Sequence, residues 1–412
     1  GYSGGWERTG QYGVEAFYDG ELSGSSGQQI VVPGQPEGIL GRITGTLFGS
    51  QAGSASPGSM EPHDIVLTID RHLQSFAEDV LDRVLKRWNA VGGSVIVQEP
   101  DTGKIIAIAD RPTFNPNSYG SYDQHLFLNG SVQQIFEPGS SFKPVTMAAG
   151  LDLEKVRPDT TFNDTGEATS DGRTIKNFDE RSYGVQAMTQ VLEKSLNTGA
   201  VFVEKQVGDD NFLDYVINMG FGQKTGIDLP GEVSGDITNL YSGRKINYFT
   251  ASFGQGIAVT PLQLANAYSA IANGGRLMRP YIVDRITSAG GRETVTQPEI
   301  IGTPIRERTA HTLKAMLVRV VDNGFDKARI KGYDVAGKTG TAQIADGKGG
   351  YLENEFIHDF VGFAPASSPR FVILLKMDRP QGITFAADSL SPAFRELAIF
   401  LLNYYGIPPT RK

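Results

Sequence analysis

Apolar positions recur at helical spacing between Arg71 and Asn89. Leu73, Phe76, Ala77, Val80, Leu81, Val84, Leu85 and Trp88 fall on one stripe, which predicts an amphipathic helix with a single buried face. A strand-like run, Asp64 to Asp70, leads into it. Gly93 to Glu99 and Lys104 to Asp110 are β-rich runs joined by Pro100-Asp101-Thr102-Gly103, a turn sequence, so they predict an antiparallel hairpin. A loop from Arg111 to Tyr122 follows, and the polar stretch from Arg157 to Gly184 is expected at the surface. Val185 to Val207 carries a helical pattern interrupted at Ser195-Leu196-Asn197-Thr198-Gly199, which predicts two helices meeting at a turn. Thr260-Pro261 opens a helix over Leu262 to Asn273 that Gly274-Gly275 closes. Arg308 to Asp322 is a further amphipathic helix. Strand runs then follow at Val335 to Ile344, Asp359 to Ala364 and Phe371 to Met377, and a last helix spans Ser391 to Tyr405. Strands early and late with helices between them predict an α+β domain, an antiparallel sheet built by the terminal segments and flanked by helices. Residues 1 to about 60 differ in texture. They are rich in Gly and Ser with short apolar pieces at Gln29 to Val32 and Gly38 to Thr44, and they predict a small β-rich appendage and linker with a boundary near residue 61.

Composition narrows the class. A chain of 412 residues with 39% hydrophobic content can bury a large core, as two domains or as one with an appendage. A net charge of -8 without a Lys/Arg run argues against a nucleic-acid partner. The absence of cysteine excludes disulfides and thiolate metal sites and is silent about redox compartment. His63, His72, His125, His311 and His358 show no paired zinc spacing, and His358-Asp359 reads as a strand edge. No apolar run approaches the roughly 18 to 20 residues that span a bilayer. The chain opens at Gly1 without Met or a signal pattern, so removal of an N-terminal segment is expected.

Candidate chemistry centres on Glu137-Pro138-Gly139-Ser140-Ser141-Phe142-Lys143-Pro144. Proline lacks the N–H of an intrahelical bond and suits a first turn, which places a helix start near Ser140. Residues three apart share a face, so the Lys143 amine can reach the Ser140 hydroxyl while the Ser140 N–H points free. In isolation the pair equally describes a helix cap beside a solvated lysine. A second Ser-x-x-Lys at Ser242 and Lys245 is spoiled by Gly243. Ser195 and Asn197 sit at the helix break, where ordinary capping is the alternative. Lys-Thr-Gly occurs at Lys224-Thr225-Gly226, which runs into a turn, and at Lys338-Thr339-Gly340 on a strand. There Thr339 and Thr341 share a face, and the Thr341 N–H can complete an oxyanion hole.

Rival patterns exist. Gly332 to Thr339 fits the phosphate-binding loop of an NTPase in full, but Gly340 follows where the phosphate-binding helix would start. Gly1-Tyr2-Ser3-Gly4-Gly5 spells a hydrolase elbow with no strand before it. Glu193, ahead of Leu196-Asn197, echoes a deacylating glutamate, yet it overlaps the Ser-x-Asn pattern and reads as a surface helix residue.

In this order, Ser140, Ser195 and Lys338 with their neighbours resemble the penicilloyl serine transferases. The context is similar to class B penicillin-binding proteins, the monofunctional peptidoglycan D,D-transpeptidases. The likeness lies in Asp64 to Gln74, Gly92 to Asn117, Glu137 to Pro144, Lys194 to Gly199, Phe221 to Glu232, Ser252 to Gly275, Gly337 to Gln343 and Phe360 to Pro365. It implies the penicillin-binding, β-lactamase-like transpeptidase fold over 61–412. Gly13-Val14-Glu15 with Leu22-Ser23-Gly24-Ser25-Ser26-Gly27 resembles the end of the family's membrane-proximal pedestal, so 1–60 would be a pedestal remnant.

The resemblance further implies roles. Ser140 would attack the penultimate D-Ala carbonyl of a stem peptide, with Lys143 as a neutral base whose charge Lys338 disfavours. Ser195 would relay the proton and Asn197 bind the substrate amide. Thr339, Gly340 and Thr341 beside Lys338 would hold the terminal carboxylate, and the N–H groups of Ser140 and Thr341 the oxyanion. β-Lactams would acylate Ser140. No metal or organic cofactor is implied, and the setting is extracytoplasmic, with an N-terminal membrane anchor outside these residues and a membrane glycan-polymerase partner. A β-lactam-sensing or inactive scaffold domain of the same fold is the alternative.

Overall fold

Five strands, β1 (Gly92–Gln98), β2 (Ile105–Arg111), β3 (Ala336–Ala345), β4 (Tyr351–Ala364) and β5 (Phe371–Asp378), form one antiparallel sheet in the computed structural model. Their order is β3-β4-β5-β1-β2, so the first hairpin and the late strands meet in one sheet, as the pattern predicts. The structure describes residues 9–24, 62–324, 326–348 and 350–411. Strand β4 starts at Tyr351 rather than Asp359, because its first half is exposed and carries no apolar run to mark it. The helices that matter to the sheet and the site are α1 (Arg71–Arg87), α2 (Lys143–Asp152), α3 (Met188–Glu193), α4 (Asn197–Val207), α5 (Pro261–Ala272), α6 (Glu307–Arg319) and α7 (Ser391–Tyr404).

Both faces of the sheet are covered, and they differ in chemistry. Val95, Val97, Phe360, Ile373 and Leu375 form one core with Leu73, Leu81 and Val84 of α1 and Phe394, Leu397 and Leu401 of α7. Helix α1 is capped by Asp70, whose side chain accepts the N–H groups of His72 and Leu73. The opposite face lies on α5 and is partly polar. Gln98 donates to Asn266 at 2.9 Å and accepts from Ser269 at 2.9 Å. Helix α5 is buried along its whole length and starts in a capping box between Thr260 and Gln263, which explains why its apolar residues show no single stripe.

The polar stretch expected at the surface carries structure of its own. Thr161–Asp164 pairs with Gly184–Ala187, and Glu167–Ser170 with Arg173–Lys176. Buried Asp164 accepts from the Gly166 and Tyr183 N–H groups, from Asn177 at 2.9 Å and from the Thr198 hydroxyl at 2.8 Å. This stretch therefore anchors the first turn of α4. Strands this short and polar leave no periodic signal.

The chain divides into two units, residues 1–66 with Val283–Thr296, and Leu67–Ile282 with Gln297–Lys412. In the first, described residues 9–24 form two one-turn helices, Gly13–Phe17 and Asp19–Ser23, which the sequence pattern does not mark. Its strands are Asp64–Leu67 and the returning Val283–Thr287 and Glu293–Val295. The strand pieces expected at Gln29 to Val32 and Gly38 to Thr44, the Gly1 to Gly5 pattern and the Ser25 to Gly27 segment lie outside the described residues.

His358-Asp359 does not form a strand edge. Both residues are buried in β4, one strand in from the edge. The His358 Nε2–H donates to the Thr384 carbonyl at 3.1 Å and Nδ1 accepts the Ser389 hydroxyl at 2.8 Å. Burial pushes the imidazole down to about 4. The unfolded chain takes up this proton near pH 6.5, so stability present above that pH is lost as pH falls toward 4, by up to about 3 kcal/mol. A urea titration series from pH 7 to 4.5 should show this decline, and His358→Gln should flatten it.

Helices α3 and α4 meet with Gly199 packed directly on the Val191 side chain, and an added Cβ would lie 2.5 Å from both of its γ-carbons. Gly199→Ala should therefore overpack the junction and cost about 1–3 kcal/mol, read as a lower urea midpoint at an unchanged slope.

Candidate active site

Gly139–Phe142 is a 3-10 turn that runs into α2, with Pro144 in the first α-helical turn. Side chains three apart eclipse in a 3-10 turn, so it aligns Ser140 and Lys143 more tightly than the α-helix predicted. Their Nζ–Oγ distance is 3.0 Å. The turn is braced from behind by residues after Ser252. The Gly139 N–H donates to the Gly254 carbonyl at 3.0 Å, and the Thr146 hydroxyl to the Ser252 carbonyl at 2.7 Å. At Gly254, with φ of +80°, a Cβ would stand 2.2 Å from the Gly139 oxygen, so only glycine lets the two backbones touch.

Ser195 joins α3 to α4 in the left-handed conformation, φ 57°. A serine there costs about 1–3 kcal/mol unless its surroundings hold it. Here the Asp164, Asn177 and Thr198 network fixes the start of α4, and the left-handed turn aims both Ser195 oxygens at one amine. Lys143 Nζ lies 2.5 Å from the Ser195 carbonyl oxygen and 3.1 Å from its Oγ. Lys338 reaches the same Oγ at 3.0 Å from β3, and also the Thr339 carbonyl at 3.1 Å. Ser140, Lys143, Ser195 and Lys338 thus form one continuous chain of hydrogen bonds.

Both amines are buried, at 1% exposure for Lys143 and 0% for Lys338. Burial, and then the neighbouring Lys338 charge, hold Lys143 well below the ordinary lysine range. Burial brings Lys338 down to about 7, opposed by the Asp359 carboxylate. Lys143 is accordingly the amine that stays neutral, with a lone pair facing the Ser140 hydroxyl. An amine so placed can accept the Ser140 proton as the oxygen attacks an acyl carbon.

The other sequence-selected residues take varied positions. The Asn197 amide donates to the Lys176 carbonyl at 2.9 Å, which ties it to the strand pair beside the site. Thr339 pairs with Phe360 and Thr341 with His358, so their side chains lie on the sheet face opposite that of Lys338. The Thr341 hydroxyl accepts the Ala386 N–H at 3.1 Å. Gly340 leaves space for the Ser140 turn, because a Cβ there would meet the Pro138 carbonyl oxygen at 2.4 Å and Asp359 Oδ2 at 2.0 Å. A Cβ on Gly139 would lie 3.2 Å from the Thr341 carbonyl oxygen, which shows how closely edge strand β3 runs along the turn.

Two nearby carboxylates, Glu137 and Asp359, carry no motif that assigns them a part in the site. Glu137 accepts the Gly256 N–H and the Tyr351 hydroxyl, each at 3.0 Å. Asp359 lies buried beside Gly340, and its one signal is a charge at the head of an apolar strand run. The rival patterns separate from the site. Thr225 turns back onto Glu232 through its N–H and hydroxyl. Gly243 is left-handed, and Lys245 pairs with Glu204 and Asp209. Strand β3 continues through Lys338 to Ala345, so Gly332 to Thr339 does not lead into a phosphate-binding helix. Glu193 is not a free surface residue. At 12% side-chain exposure it accepts from Arg319 and Asn323 at the far end of α6.

The profile of the penicillin binding protein transpeptidase domain matches residues 93–398. Stage V sporulation protein D of Bacillus subtilis (strain 168) is 34% identical over 414 residues, covering 99% of this chain and 62% of that protein. The probable peptidoglycan D,D-transpeptidase PbpC of Pseudomonas aeruginosa is 33% identical over 404 residues, covering 97% of this chain and 67% of that protein. The crystal structure of penicillin binding protein 3 from Mycobacterium tuberculosis complexed with ampicillin superposes with a TM-score of 0.80 at 29% identity, over 87% of this chain and 82% of that one. The chain thus spans about two-thirds or less of the length of these two sequence relatives. A profile matched over most of the chain, relatives at one-third identity and a shared fold identify it as a member of the penicillin-binding protein transpeptidase family, class B.

Proposed function

We propose that this domain is a peptidoglycan D,D-transpeptidase that works through an acyl-Ser140 intermediate. The observation that carries the proposal is the hydrogen-bonded chain from Ser140 through Lys143 and Ser195 to Lys338, with Lys143 held neutral. Neutral Lys143 takes the Ser140 proton as Oγ attacks the penultimate D-Ala carbonyl of a stem peptide. The N–H groups of Ser140 and Thr341 receive the developing oxyanion. The C–N bond then breaks, and the leaving D-Ala amine takes up the proton returned from Lys143 through Ser195. An amine of a neighbouring stem attacks the Ser140 ester, and the same relay runs in reverse as the crosslink forms and Ser140 is released.

The Lys338 charge, with Thr339, Gly340 and Thr341, holds the terminal carboxylate, and Asn197 receives the substrate amide. The Thr341 hydroxyl only accepts from Ala386, so its own proton remains available for that carboxylate. A β-lactam presents a carboxylate and a strained amide in the same relation and acylates Ser140 in place of the stem. The ampicillin complex of the Mycobacterium tuberculosis neighbour supports this reading. An extracytoplasmic setting, a membrane anchor and a glycan-polymerase partner belong to the same proposal. Among the described residues no helix is long and apolar enough to cross a membrane.

Intact-mass analysis after benzylpenicillin treatment should show addition of one intact inhibitor, abolished in Ser140→Ala; labelling that persists in that variant would overturn the assignment. With a synthetic donor and acceptor stem pair, the wild-type domain should form the crosslinked dimer and release D-Ala. Lys143→Met should lower the rate of penicillin acylation about 10²–10⁴-fold, measured by stopped-flow fluorescence, with an unchanged melting temperature as the control for folding.

A further inference from the structure

On the α5 face of the sheet, the strand register places Gly340, Asp359, Lys376, Ser94 and Asp110 side by side across all five strands. Lys338, two residues from Gly340 on β3, shares that face. Asp359 is fully buried there, and neither carboxylate oxygen accepts a hydrogen bond. The nearby Ser141 hydroxyl gives its proton to the Pro138 carbonyl at 2.8 Å, and the Tyr268 hydroxyl of α5 donates to the Ser141 carbonyl at 2.8 Å. The burial of this carboxylate is offset by the Ser141 hydroxyl beside it and by the charges of Lys338 and Lys376. The groups facing it are Lys338 on β3, Lys376 on β5, Ser141 on the Ser140 turn and Tyr268 on α5, with Asp110 further along the row beyond Ser94. Lys376 is already held by Asp378 at 2.5 Å and lies over the Phe136 ring at 5.4 Å. Asp359 is the carboxylate that offsets the burial of Lys338.

We propose that Asp359 is a positioning residue for the reaction, whose buried carboxylate, seated against Gly340, keeps the Lys338 ammonium charged and aimed at the Ser195 hydroxyl. The proposal rests on the transpeptidase reading above. The effect reaches the base through one further contact, because a charged Lys338 disfavours charge on Lys143. Burial raises Asp359 to about 7 and lowers Lys338 to about 7, and their mutual attraction favours the ion pair. Shape alone does not require an acid at this position. The space that a Gly340 side chain would need is taken by Asp359 Oδ2, and an asparagine fills the same volume without charge.

Asp359→Asn separates the two roles. Without the carboxylate Lys338 loses its proton at lower pH, so the alkaline limb of the second-order rate constant for benzylpenicillin acylation should move down by about one pH unit. That shift corresponds to about a tenfold loss at pH 8, with rates at pH 5.5 within about twofold of wild type and one inhibitor still bound at Ser140. A profile superimposable on that of wild type would overturn the proposal. If Asp359→Asn does not fold, Asp359→Ser is measured in the same way. If neither folds, the wild-type limb decides: a break near neutrality supports the role, and a flat profile to pH 9 overturns it. Failure of the wild-type protein to label at Ser140 would refute the transpeptidase reading itself, whereas labelling with an unmoved Asp359→Asn profile would refute only the role of Asp359.

Discussion

Two lysine amines share one serine hydroxyl inside the protein, and that constraint governs the site. Lys143 and Lys338 each lie about 3 Å from Ser195 Oγ, and neither is open to water. Two buried ammonium groups so close would repel in a medium that screens them poorly, so one must give up its proton. Which one does so follows from their remaining neighbours. Lys338 has a carboxylate, Asp359, on its side of the sheet, while Lys143 meets hydroxyl and carbonyl oxygens. The asymmetry leaves Lys143 as the neutral amine and Lys338 as the cation.

Holding these groups together requires close approach at three glycines. Gly254 touches Gly139, Gly340 lies against Pro138 and Asp359, and Gly199 lets α3 and α4 close on each other. The first two contacts join segments distant in sequence, and each of the three would be opened by a single methyl group. The left-handed Ser195 is the counterpart in conformation. Its strain is tolerated because Asp164, Asn177 and Thr198 hold the next turn from the other side. Rigid supports around a strained turn are what a pre-organised proton relay demands.

Much of this was legible in the sequence. The Leu73 to Trp88 stripe, the Pro100 to Gly103 turn, the Thr260-Pro261 start and the late strand runs all report local rules of periodicity and capping, and they appear in the fold. The ordered motifs likewise brought Ser140, Lys143, Ser195 and Lys338 to one place. What escaped depends on contacts between distant segments. Asp359 had no motif, and its importance arises from strand register, which pairs it with Gly340 and Lys376. The Arg157 to Gly184 stretch lies mostly at the surface, as expected, but its short polar strands gave no sign that one buried aspartate makes it the support of the Ser-x-Asn turn. The helices at Gly13–Phe17 and Asp19–Ser23 are five residues each, too short to leave a periodic signal in a Gly- and Ser-rich stretch.

The repeated motifs show what turns a pattern into a site. Ser242 and Lys245 have the same spacing as Ser140 and Lys143, but a left-handed glycine separates them and acidic groups neutralise the lysine. Such a lysine keeps its proton and is no base, and its upward pKa shift runs opposite to that of Lys143. Thr225 has the neighbours of Thr339 but satisfies itself on Glu232 within a turn. In each case the side chains are right and the surroundings are wrong. The chemistry proposed at Ser140 rests on a lysine shut off from water beside a second, charged lysine, a property that belongs to the packed sheet, the Ser140 turn and the α3–α4 junction together.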